Sequence, residues 1–275
     1  MVLQEEIKKC ENAARQIRRD IIDMAYAAGK TGAHLGGSLS IAEILAALYC
    51  GTIRYDIKNP DWQERDRVIL SKGHAAMALY SAMSQAGIIS KDELLSFKQN
   101  GSRISGHPSL KTPGIEFASG SLGQGLSLGV GVCLALAKQK NFIPKVYVLL
   151  GDGECDEGSV WEAAASAAHF GLKQLVAIVD ENKLQYDGST KKVMSMESTE
   201  QKWKSFGWNV IKLDGHNISA LLDAYRQETD KPLVILAQTV KGKGISYMEG
   251  NKNFHNSRLT KKQYEQAIME LEASA

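Results

Sequence analysis

Two oxygen-bearing side chains, Asp152 and Asn182, each follow an apolar stretch that has the length of a buried strand. Asp152 lies in a Gly-Asp-Gly turn directly after residues 146–150, and Asn182 lies shortly after residues 175–179. The helical segment between the stretches indicates a strand–helix–strand unit, and parallel strands bring their carboxyl ends to one edge of a sheet. Carboxylate and amide oxygens suit Mg²⁺ or Ca²⁺ better than zinc, and glycine lets backbone N–H groups approach a charged group closely. The pattern therefore predicts a site for a diphosphate bridged by a metal ion.

Four of the six histidines lie in glycine-rich turns or loops next to predicted elements. They are His34, His74, His107 and His255. Two of them fall in the segments 29–40 and 100–127, which are rich in glycine, lack a clear period and are predicted to be binding loops. No HxH or HxxxH spacing links the four, so a zinc site is not indicated. Imidazoles near a diphosphate can donate to its oxygens, hold a sugar hydroxyl and move protons near neutral pH.

The elements that must position these side chains alternate between strand and helix. Besides the central unit, strands are predicted at 66–70, 208–213 and 233–237. Helices are predicted at 5–28, 41–50, 75–85, 91–98, 126–138, 202–206 and 218–226, with a last helix that runs to the end. Capping pairs are expected at Ser40 with Glu43, Ser90 with Glu93, and Thr260 with Gln263. The predicted fold is α/β, a doubly wound and mainly parallel sheet with helices on both faces, in a single domain over residues 1–275.

The composition of the 275 residues, with 44% hydrophobic residues and a net charge of +2, is that of an ordinary soluble domain. It lacks the basic tail or aromatic-basic interleaving of nucleic-acid binders, and no apolar stretch reaches the ~18 residues of a membrane span. The charged, helical N-terminus carries no secretory signal, so a cytoplasmic protein is expected. The four dispersed cysteines are expected to be free thiols, and Cys155 has no nearby base in the sequence to activate it. His169 and His216 are expected to make only local contacts.

Several stretches together resemble the cofactor-binding half of transketolases. The spacing from Asp152 to Asn182 is similar to the diphosphate-binding motif of thiamine diphosphate enzymes. The other matching stretches are DRVILSKGHA at 66–75, SGHP at 105–108, SGSLGQGLS at 119–127 and GDGECDEGSVWEA at 151–163. The resemblance covers nearly the whole chain. It implies a transferase that moves a two-carbon ketol unit from a ketose phosphate to an aldose phosphate, in carbohydrate metabolism such as the pentose phosphate pathway.

The resemblance also implies a role for each residue that matches the family pattern. The implied ligands of the divalent cation, Mg²⁺ with Ca²⁺ or Mn²⁺ as alternatives, are Asp152, Asn182 and the main-chain carbonyl of Leu184. The implied contacts of thiamine diphosphate are His74, Gly153, Asn182 and His255 at the diphosphate, and Gly120 and Leu122 beside the ring. The implied catalytic histidines are His107 near the thiazolium, and His34 and His255 at sugar hydroxyls. Glu157 and Glu162 are implied at a dimer interface, in a proton-relay path between two active sites.

Two departures from the single-chain pattern of the family match its two-chain members: Ser121 replaces proline, and Lys72 replaces asparagine. In the family, the glutamate that activates the aminopyrimidine of the cofactor lies in a second, pyrimidine-binding domain. The resemblance therefore implies an N-terminal subunit that is active only with a separate C-terminal subunit supplying that glutamate, as a heterotetramer with two copies of each chain. Sugar phosphates are the implied substrates, and neither nucleic acid nor a membrane is an expected partner.

Other functions are open on these residues. The α chain of a 2-oxoacid dehydrogenase would lack SKGHA and SGHP, and a deoxyxylulose phosphate synthase would carry all its domains in one chain. A modified sugar, sulfonated or branched, is equally compatible as substrate, because the residues that bind the sugar phosphate in relatives lie mostly in the other half. A non-catalytic half would bind the cofactor without partner-dependent turnover.

Overall fold

The computed structural model describes residues 2–138 and 144–273, which contain a five-stranded sheet. Its strands are β1 Arg67–Leu70, β2 Val146–Gly151, β3 Leu175–Glu181, β4 Asn209–Asp214 and β5 Leu233–Gln238. The order across the sheet is β1-β2-β3-β5-β4, and each of these pairings is parallel. The predicted α/β class and parallel sheet are confirmed.

The helices of the described ranges agree with most of the predicted positions to within three residues at either end. They are α1 Gln4–Ala27, α2 Gly36–Leu39, α3 Ala42–Gly51, α4 Ala76–Gln85, α5 Lys91–Leu94, α6 Gly125–Leu136, α7 Gly158–His169, α8 Thr190–Val193, α9 Thr199–Ser205, α10 Ile218–Arg226 and α11 Lys261–Ala273. The helix predicted at 91–98 is wrong beyond Leu94, where turns replace it. The segment 29–40 is not a loop throughout, because it contains α2 and a 3₁₀ turn at Gly29–Thr31.

Alternation of side chains along the strands divides the core into two hydrophobic clusters, one on each face of the sheet. On β2, Tyr147 and Leu149 pack with α1, α3, α4 and α10. Val146, Val148 and Leu150 pack on the other face with α6 and α7. Because both faces of β2 and β3 are covered, these strands read as continuous apolar stretches rather than as alternating ones.

Helix α6 packs closely on the sheet at Gly129, where there is no room for a side chain. A Cβ atom built on Gly129 would lie 2.6 Å from Cγ2 of Val148 on β2. Gly131, two residues further on, has no heavy atom within 4 Å of the same hypothetical atom. Helix α6 therefore packs on the sheet through Gly129.

The cap predicted at Ser40 and Glu43 is wrong, since α3 begins at Ala42 and has no side-chain cap. Ser40 Oγ donates instead to Asp180 Oδ2 at 2.7 Å. Glu43 accepts from Arg18 at 2.6 Å. A helix cap contributes only about 1 kcal/mol, so buried charged partners that would otherwise be unpaired decide where these two side chains go.

The two other predicted caps are confirmed. Ser90 Oγ accepts from the backbone N–H of Glu93 at 3.3 Å at the start of α5. At the start of α11, Thr260 Oγ1 accepts from the N–H of Gln263 at 3.3 Å, and Gln263 Oε1 accepts from the N–H of Thr260 at 3.0 Å. Both caps satisfy helix N–H groups that have no partner within the helix.

None of the helices in the described ranges is long and apolar enough to cross a membrane. All four cysteines are free thiols, as predicted. Cys155 is buried, and burial raises the pKa of its thiol well above the ordinary value. That environment suits a packing role rather than a nucleophile.

Candidate active site

The carboxyl ends of four strands carry the predicted site residues to one edge of the sheet. The register pairs Gly151 of β2 with Asp180 of β3, and Glu181 of β3 with Gln238 of β5. Asp152 and Asn182, which follow β2 and β3, are therefore neighbours, as the sequence predicted. The turn after β1 carries His74, and the segment after β5 carries Lys241.

A cavity of about 190 Å³ lies at this edge. Its lining combines oxygen donors, two lysines, two histidines and backbone from glycine-rich turns. All six predicted diphosphate and metal residues take part: the lining includes Gly37, Lys72, His74, Leu122, Asp152, Gly153, Asn182, Leu184, Gln185, Tyr186, Lys241 and His255. A small cavity with convergent charged groups is suited to bind an anion together with a cation.

The predicted cation ligands are held by backbone hydrogen bonds of two facing turns. Asp152 Oδ1 accepts from the N–H of Gly153 at 2.8 Å, and Oδ2 accepts from the N–H of Lys183 at 2.6 Å. Asn182 Oδ1 accepts from the N–H of Leu184 at 3.1 Å. Lys183 adopts a φ of 65°, which tightens the turn and brings its N–H to the Asp152 carboxylate.

The chemistry of this donor set fits a hard divalent cation. A carboxylate, an amide oxygen and the carbonyl of Leu184 are all oxygen donors. Burial and the nearby Asp180 raise the pKa of Asp152 to about 7, a cost that a bound cation would offset. The Leu184 carbonyl accepts from the Lys241 ammonium at 2.7 Å, and burial lowers the pKa of Lys241 to about 8. Within the described ranges, no group of three or more His, Cys, Asp or Glu side chains is placed to hold a metal ion.

Asp180 organises the floor of the site, and sequence reasoning missed this role. Its Oδ2 accepts from Lys72 Nζ at 2.5 Å and from Asn182 Nδ2 at 2.7 Å. Thr239 Oγ1 donates to its other oxygen. Burial alone would raise the pKa of Asp180, but the charge and hydrogen bond of Lys72 leave it below its ordinary value. Because the amide nitrogen of Asn182 is bonded to Asp180, its oxygen is directed to the opposite side. The only signal in the sequence was a carboxylate at the end of an otherwise apolar strand.

Glu154 is a second buried carboxylate that sequence reasoning passed over. It accepts from the N–H of Gly151 at 3.0 Å and from the N–H of Gly123 at 2.9 Å, and Ser71 Oγ also donates to it. One side chain thereby connects the turns after β1 and β2 to the 100–127 segment. Gly125 N–H donates to Ser71 Oγ at 3.1 Å and completes the connection.

The four loop histidines meet above the cavity, as the sequence predicted. The ring of His34 lies 5.5 Å from His74, 5.7 Å from His107 and 5.5 Å from His255, centroid to centroid. His74 and His255 are 5.1 Å apart. Residues separated by more than 200 positions in the sequence thus form one cluster of imidazoles.

The electrostatic surroundings keep these imidazoles neutral at neutral pH. Burial, helped by His107, Lys98 and Lys241, lowers the pKa of His34 to about 4. Burial and Lys241 lower the pKa of His255 to about 3. The pKa values of His74 and His107 are also lowered by burial and by a nearby lysine. A neutral imidazole has one donor and one acceptor, so the cluster can bind hydroxyl groups and exchange protons with them.

Of the remaining predicted residues, Leu122 lines the cavity and the others do not. Gly120 faces the His107 ring, with a hypothetical Cβ 3.6 Å from His107 Cδ2. Glu157 and Glu162 are exposed at the start of α7 and do not line the cavity. Their predicted role at an interface between copies concerns contacts outside a single chain and stays a prediction.

The two histidines expected to make local contacts also lie away from the cluster. His169 is exposed and its ring packs on Phe170 at 4.9 Å. His216 bonds to Glu43 and to the backbone N–H of Val240, each at 2.9 Å. The contact with Glu43 joins segments 173 residues apart, so for His216 the expectation of purely local contacts was too narrow.

Comparison with known families bears on the same residues. The family model described as "Transketolase, thiamine diphosphate binding domain" matches residues 7–272. This chain belongs to the transketolase family. The match covers every strand of the sheet and all four clustered histidines.

Transketolase relatives of similar length are named as subunits. The "6-deoxy-6-sulfo-D-fructose transketolase subunit SqwG" of Clostridium sp. (strain MSTE9) is 44% identical over 250 residues, which is 89% of this chain and 90% of the relative. An apulose-4-phosphate transketolase subunit from Phocaeicola vulgatus is 40% identical over 269 residues, 97% of this chain and 95% of the relative.

Longer transketolases match the chain over less than half of their own length. Human transketolase is 37% identical over 268 residues, which is 98% of this chain and 43% of the human protein. The solved structure of transketolase from Leishmania mexicana superposes with a TM-score of 0.88 at 30% identity, covering 96% of this chain and 41% of that one. The doubly wound fold is therefore shared with longer transketolases, whose chains extend beyond the matched region.

Proposed function

We propose that this chain is the thiamine diphosphate-binding subunit of a two-chain transketolase, which transfers a two-carbon ketol unit between sugars. The observation that carries the proposal is the cavity at the sheet edge, where oxygen donors for a cation adjoin a cluster of four neutral histidines. Relatives of the same length that are named as transketolase subunits support the two-chain arrangement.

In this proposal, Asp152, Asn182 and the carbonyl of Leu184 hold a divalent cation, with Mg²⁺ as the first choice and Ca²⁺ or Mn²⁺ as alternatives. The diphosphate is held by His74, His255 and the backbone of Gly153. The lysines that line the cavity, Lys72 and Lys241, add positive charge on its walls. Coulombic attraction inside a partly desolvated cavity is stronger than in water, so these lysines together with the cation held by Asp152 would favour a doubly charged anion over a neutral ligand.

When bound, thiamine diphosphate supplies the nucleophilic carbon and the electron sink that breaking a ketose carbon–carbon bond requires. The residues of this chain orient the sugar and move its protons. His34 and His255 hold sugar hydroxyls, and His107, which is the most exposed of the four, exchanges a proton with the substrate oxygen. Gly120 and Leu122 flank the cofactor ring. A neutral imidazole can act as base in one step and, once protonated, as acid in the next.

The other half of the active site, including the glutamate that activates the aminopyrimidine, is proposed to come from a C-terminal subunit. Two copies of each chain would form the complex, with Glu157 and Glu162 of this chain at the interface between copies. We further propose that residues 1–275 are a single diphosphate-binding domain and that the protein is cytoplasmic, which its four free thiols support.

The test is to measure ketol transfer between sugar phosphates with this chain alone, with the proposed C-terminal subunit alone, and with the mixture of both. Each reaction contains thiamine diphosphate and Mg²⁺, and we expect turnover only in the mixture. Full activity of this chain by itself would refute the two-chain proposal. Cofactor binding without turnover in the mixture, across a panel of ketose donors, would identify a non-catalytic half.

A modified sugar is a second candidate for the donor, and the relatives favour it. The two subunits of similar length are named for 6-deoxy-6-sulfo-D-fructose and for apulose 4-phosphate. The donor panel should therefore contain both of these sugars beside xylulose 5-phosphate and fructose 6-phosphate. The donor with the highest kcat/KM identifies the substrate class, and a preference for xylulose 5-phosphate would contradict this second candidate.

A further inference from the structure

A buried network of three side chains lies behind the loop that carries Lys241 to the cavity. This segment, residues 240–244, is called the Lys241 loop. Glu43 Oε2 accepts from Arg18 Nη2 at 2.6 Å and from His216 Nδ1 at 2.9 Å. Arg18 and Glu43 are only 7% and 9% exposed, so each charge depends on the other for compensation.

The network reaches the Lys241 loop on both sides of Lys241. His216 Nε2 accepts from the N–H of Val240 at 2.9 Å. Arg18 Nε donates to the carbonyl of Lys243 at 3.1 Å. Val240, before Lys241, is therefore bonded to His216, and Lys243, after Gly242, is bonded to Arg18. Both of these side chains donate to the carboxylate of Glu43.

The two hydrogen bonds of the His216 ring define which of its nitrogens carries a hydrogen. Because Val240 N–H is a donor, Nε2 must be unprotonated, and Nδ1 therefore carries the hydrogen that is donated to Glu43. A doubly protonated ring could not accept from Val240. Burial opposes the charge of Glu43, but the bond from His216 and the charge of Arg18 hold its pKa near 2, so the acceptor is ionised at neutral pH.

The Lys241 loop has little room to move by itself. Gly242 N–H donates to the carbonyl of Gly36 at 3.0 Å. Gly242 has a φ of 81°, and a Cβ atom at this position would lie 2.4 Å from the Met248 carbonyl oxygen. At the tip of its side chain, Lys241 Nζ is 2.7 Å from the carbonyl oxygen of Leu184. A shift of the loop would therefore move the ammonium relative to the cavity.

We propose that Glu43 and His216 are positioning residues, which hold the Lys241 loop so that the Lys241 ammonium points into the cavity. The two side chains do not line that cavity, so they act through the loop. The identity of the ligand in this inference rests on the proposed function, in which Lys241 would contact the diphosphate of the cofactor. The position of the loop does not depend on the identity of the ligand.

Two substitutions of His216 separate the two bonds of its ring. In His216→Gln, the side-chain oxygen can reach the position of Nε2 and accept from Val240. In His216→Asn, the amide nitrogen can replace Nδ1 as donor to Glu43, but the side chain is too short to reach Val240. Removing Glu43 would leave Arg18 buried and unpaired and endanger folding, so the histidine variants are the better test.

The matched control is Tyr225→Phe. It removes a buried hydrogen bond, from Tyr225 Oη to the carbonyl of Ile44 at 3.1 Å, on the same helix α3 that carries Glu43. It makes no change in the Lys241 loop. Tyr225→Phe should therefore lower the free energy of unfolding but leave the Lys241 loop in place. His216→Asn should differ from it by releasing the loop.

The first measurement is amide hydrogen exchange of the full chain without ligand, followed in peptides that span residues 240–244. We expect exchange in these peptides to be about ten-fold faster in His216→Asn, which releases the N–H of Val240, and near wild type in Tyr225→Phe. His216→Gln should lie between the two, because it keeps the bond to Val240 but loses the bond to Glu43. Unchanged exchange in His216→Asn would overturn the proposal.

The second measurement is calorimetric titration with thiamine diphosphate and Mg²⁺, on this chain together with its C-terminal subunit. We expect the Kd to rise about ten-fold in His216→Asn, by a smaller factor in His216→Gln and less than two-fold in Tyr225→Phe. An equal loss of affinity in Tyr225→Phe would show general destabilisation and contradict the proposal. If the wild-type complex does not bind the cofactor, the proposed function fails, while the exchange measurement still decides the positioning role.

Discussion

Carboxylates buried beside lysine and backbone N–H groups determine the geometry of the site. Asp180 has no solvent exposure, yet it receives hydrogen bonds from Lys72, Ser40 and Asn182. Removing one member of such a buried pair typically costs about 3–5 kcal/mol, because the other charge is left without compensation. The orientation of Asn182 therefore follows from this network and not from its own turn alone.

The first prediction at this scale concerns the proposed metal ligands. In Asp152→Ala or Asn182→Ala, a hard cation loses an oxygen ligand, so we expect the Mg²⁺-dependent affinity for thiamine diphosphate to fall at least about ten-fold. Calorimetric titration with and without Mg²⁺ measures the change. Glu200→Ala is the control, because that carboxylate pairs with Lys204 on the surface of α9. Wild-type affinity in both ligand variants would refute the metal roles.

The second prediction concerns His34 and the pH dependence of stability. The pKa of His34 is lowered from 6.5 to about 4, mainly by burial. Between these values the unfolded chain binds a proton that the folded chain does not, so the free energy of unfolding falls as the pH is lowered through this window. We expect His34→Gln to remove this contribution and to make the fall shallower.

Urea unfolding at several pH values between about 6.5 and about 4 measures the slope. His169→Gln is the matched control, because His169 is exposed and lies outside the histidine cluster. Ionised carboxylates such as Glu43 also contribute to acid instability, but they are present in both variants. Identical slopes in His34→Gln and the wild type would contradict the prediction.

At the scale of elements, strand β2 and helix α6 illustrate how packing places the site. Strand β2 ends in the Gly-Asp-Gly turn, and α6 begins just after the segment that carries Gly120 and Leu122. The close approach at Gly129 sets the distance between helix and strand, and Glu154 connects the two turns at the same end. The segment that carries Gly120 and Leu122 and the turn that carries Asp152 are thus held in place by one helix–strand contact.

This contact leads to a prediction about two glycines of the same helix. Gly129→Ala places a methyl group 2.6 Å from Val148, and we expect it to lower the free energy of unfolding by about 1–3 kcal/mol. Gly131→Ala meets no neighbouring atom, and we expect it to raise the free energy of unfolding by up to about 1 kcal/mol through helix propensity. Urea denaturation of this chain alone compares the two, and equal effects would show that Gly129 does not limit the packing.

At the scale of the whole molecule, the site is an open edge with exposed apolar groups. Leu122 and Tyr186 line the cavity but are 38% and 68% exposed. Apolar side chains of this size at the mouth of a cavity are suited to be covered by a ligand or by another protein. This exposure agrees with a cofactor held between this chain and the proposed C-terminal subunit.

The corresponding prediction concerns assembly. When this chain is mixed with the C-terminal subunit in the presence of thiamine diphosphate and Mg²⁺, we expect a particle with two copies of each chain. Light scattering coupled to gel filtration gives the mass, and calorimetry gives the dependence on cofactor. Separate elution of the two chains under these conditions would contradict the proposed complex.

Local patterns in the sequence were sufficient to predict most of the helices and strands. Continuous apolar stretches predicted β2, β3 and β5, because strands covered on both faces need no polar alternation. Helical periodicity predicted α1, α4 and α10, and serine and threonine caps were correct at α5 and α11. The sequence motifs also identified the four histidines and the pair Asp152 and Asn182, since these lie in turns whose glycine content is visible without a structure.

Tertiary structure alone decided which polar groups are partners inside the molecule. Ser40 and Glu43 have the spacing of a helix cap, but Ser40 bonds to Asp180 and Glu43 bonds to Arg18 and His216. A local cap contributes little, whereas a buried charge without a partner costs several kcal/mol, so distant contacts prevail over local ones. Local sequence patterns predicted most of the helices and strands and the residue types of the candidate site. Packing decided which buried charges orient it, because those pairings join residues that are far apart in the chain.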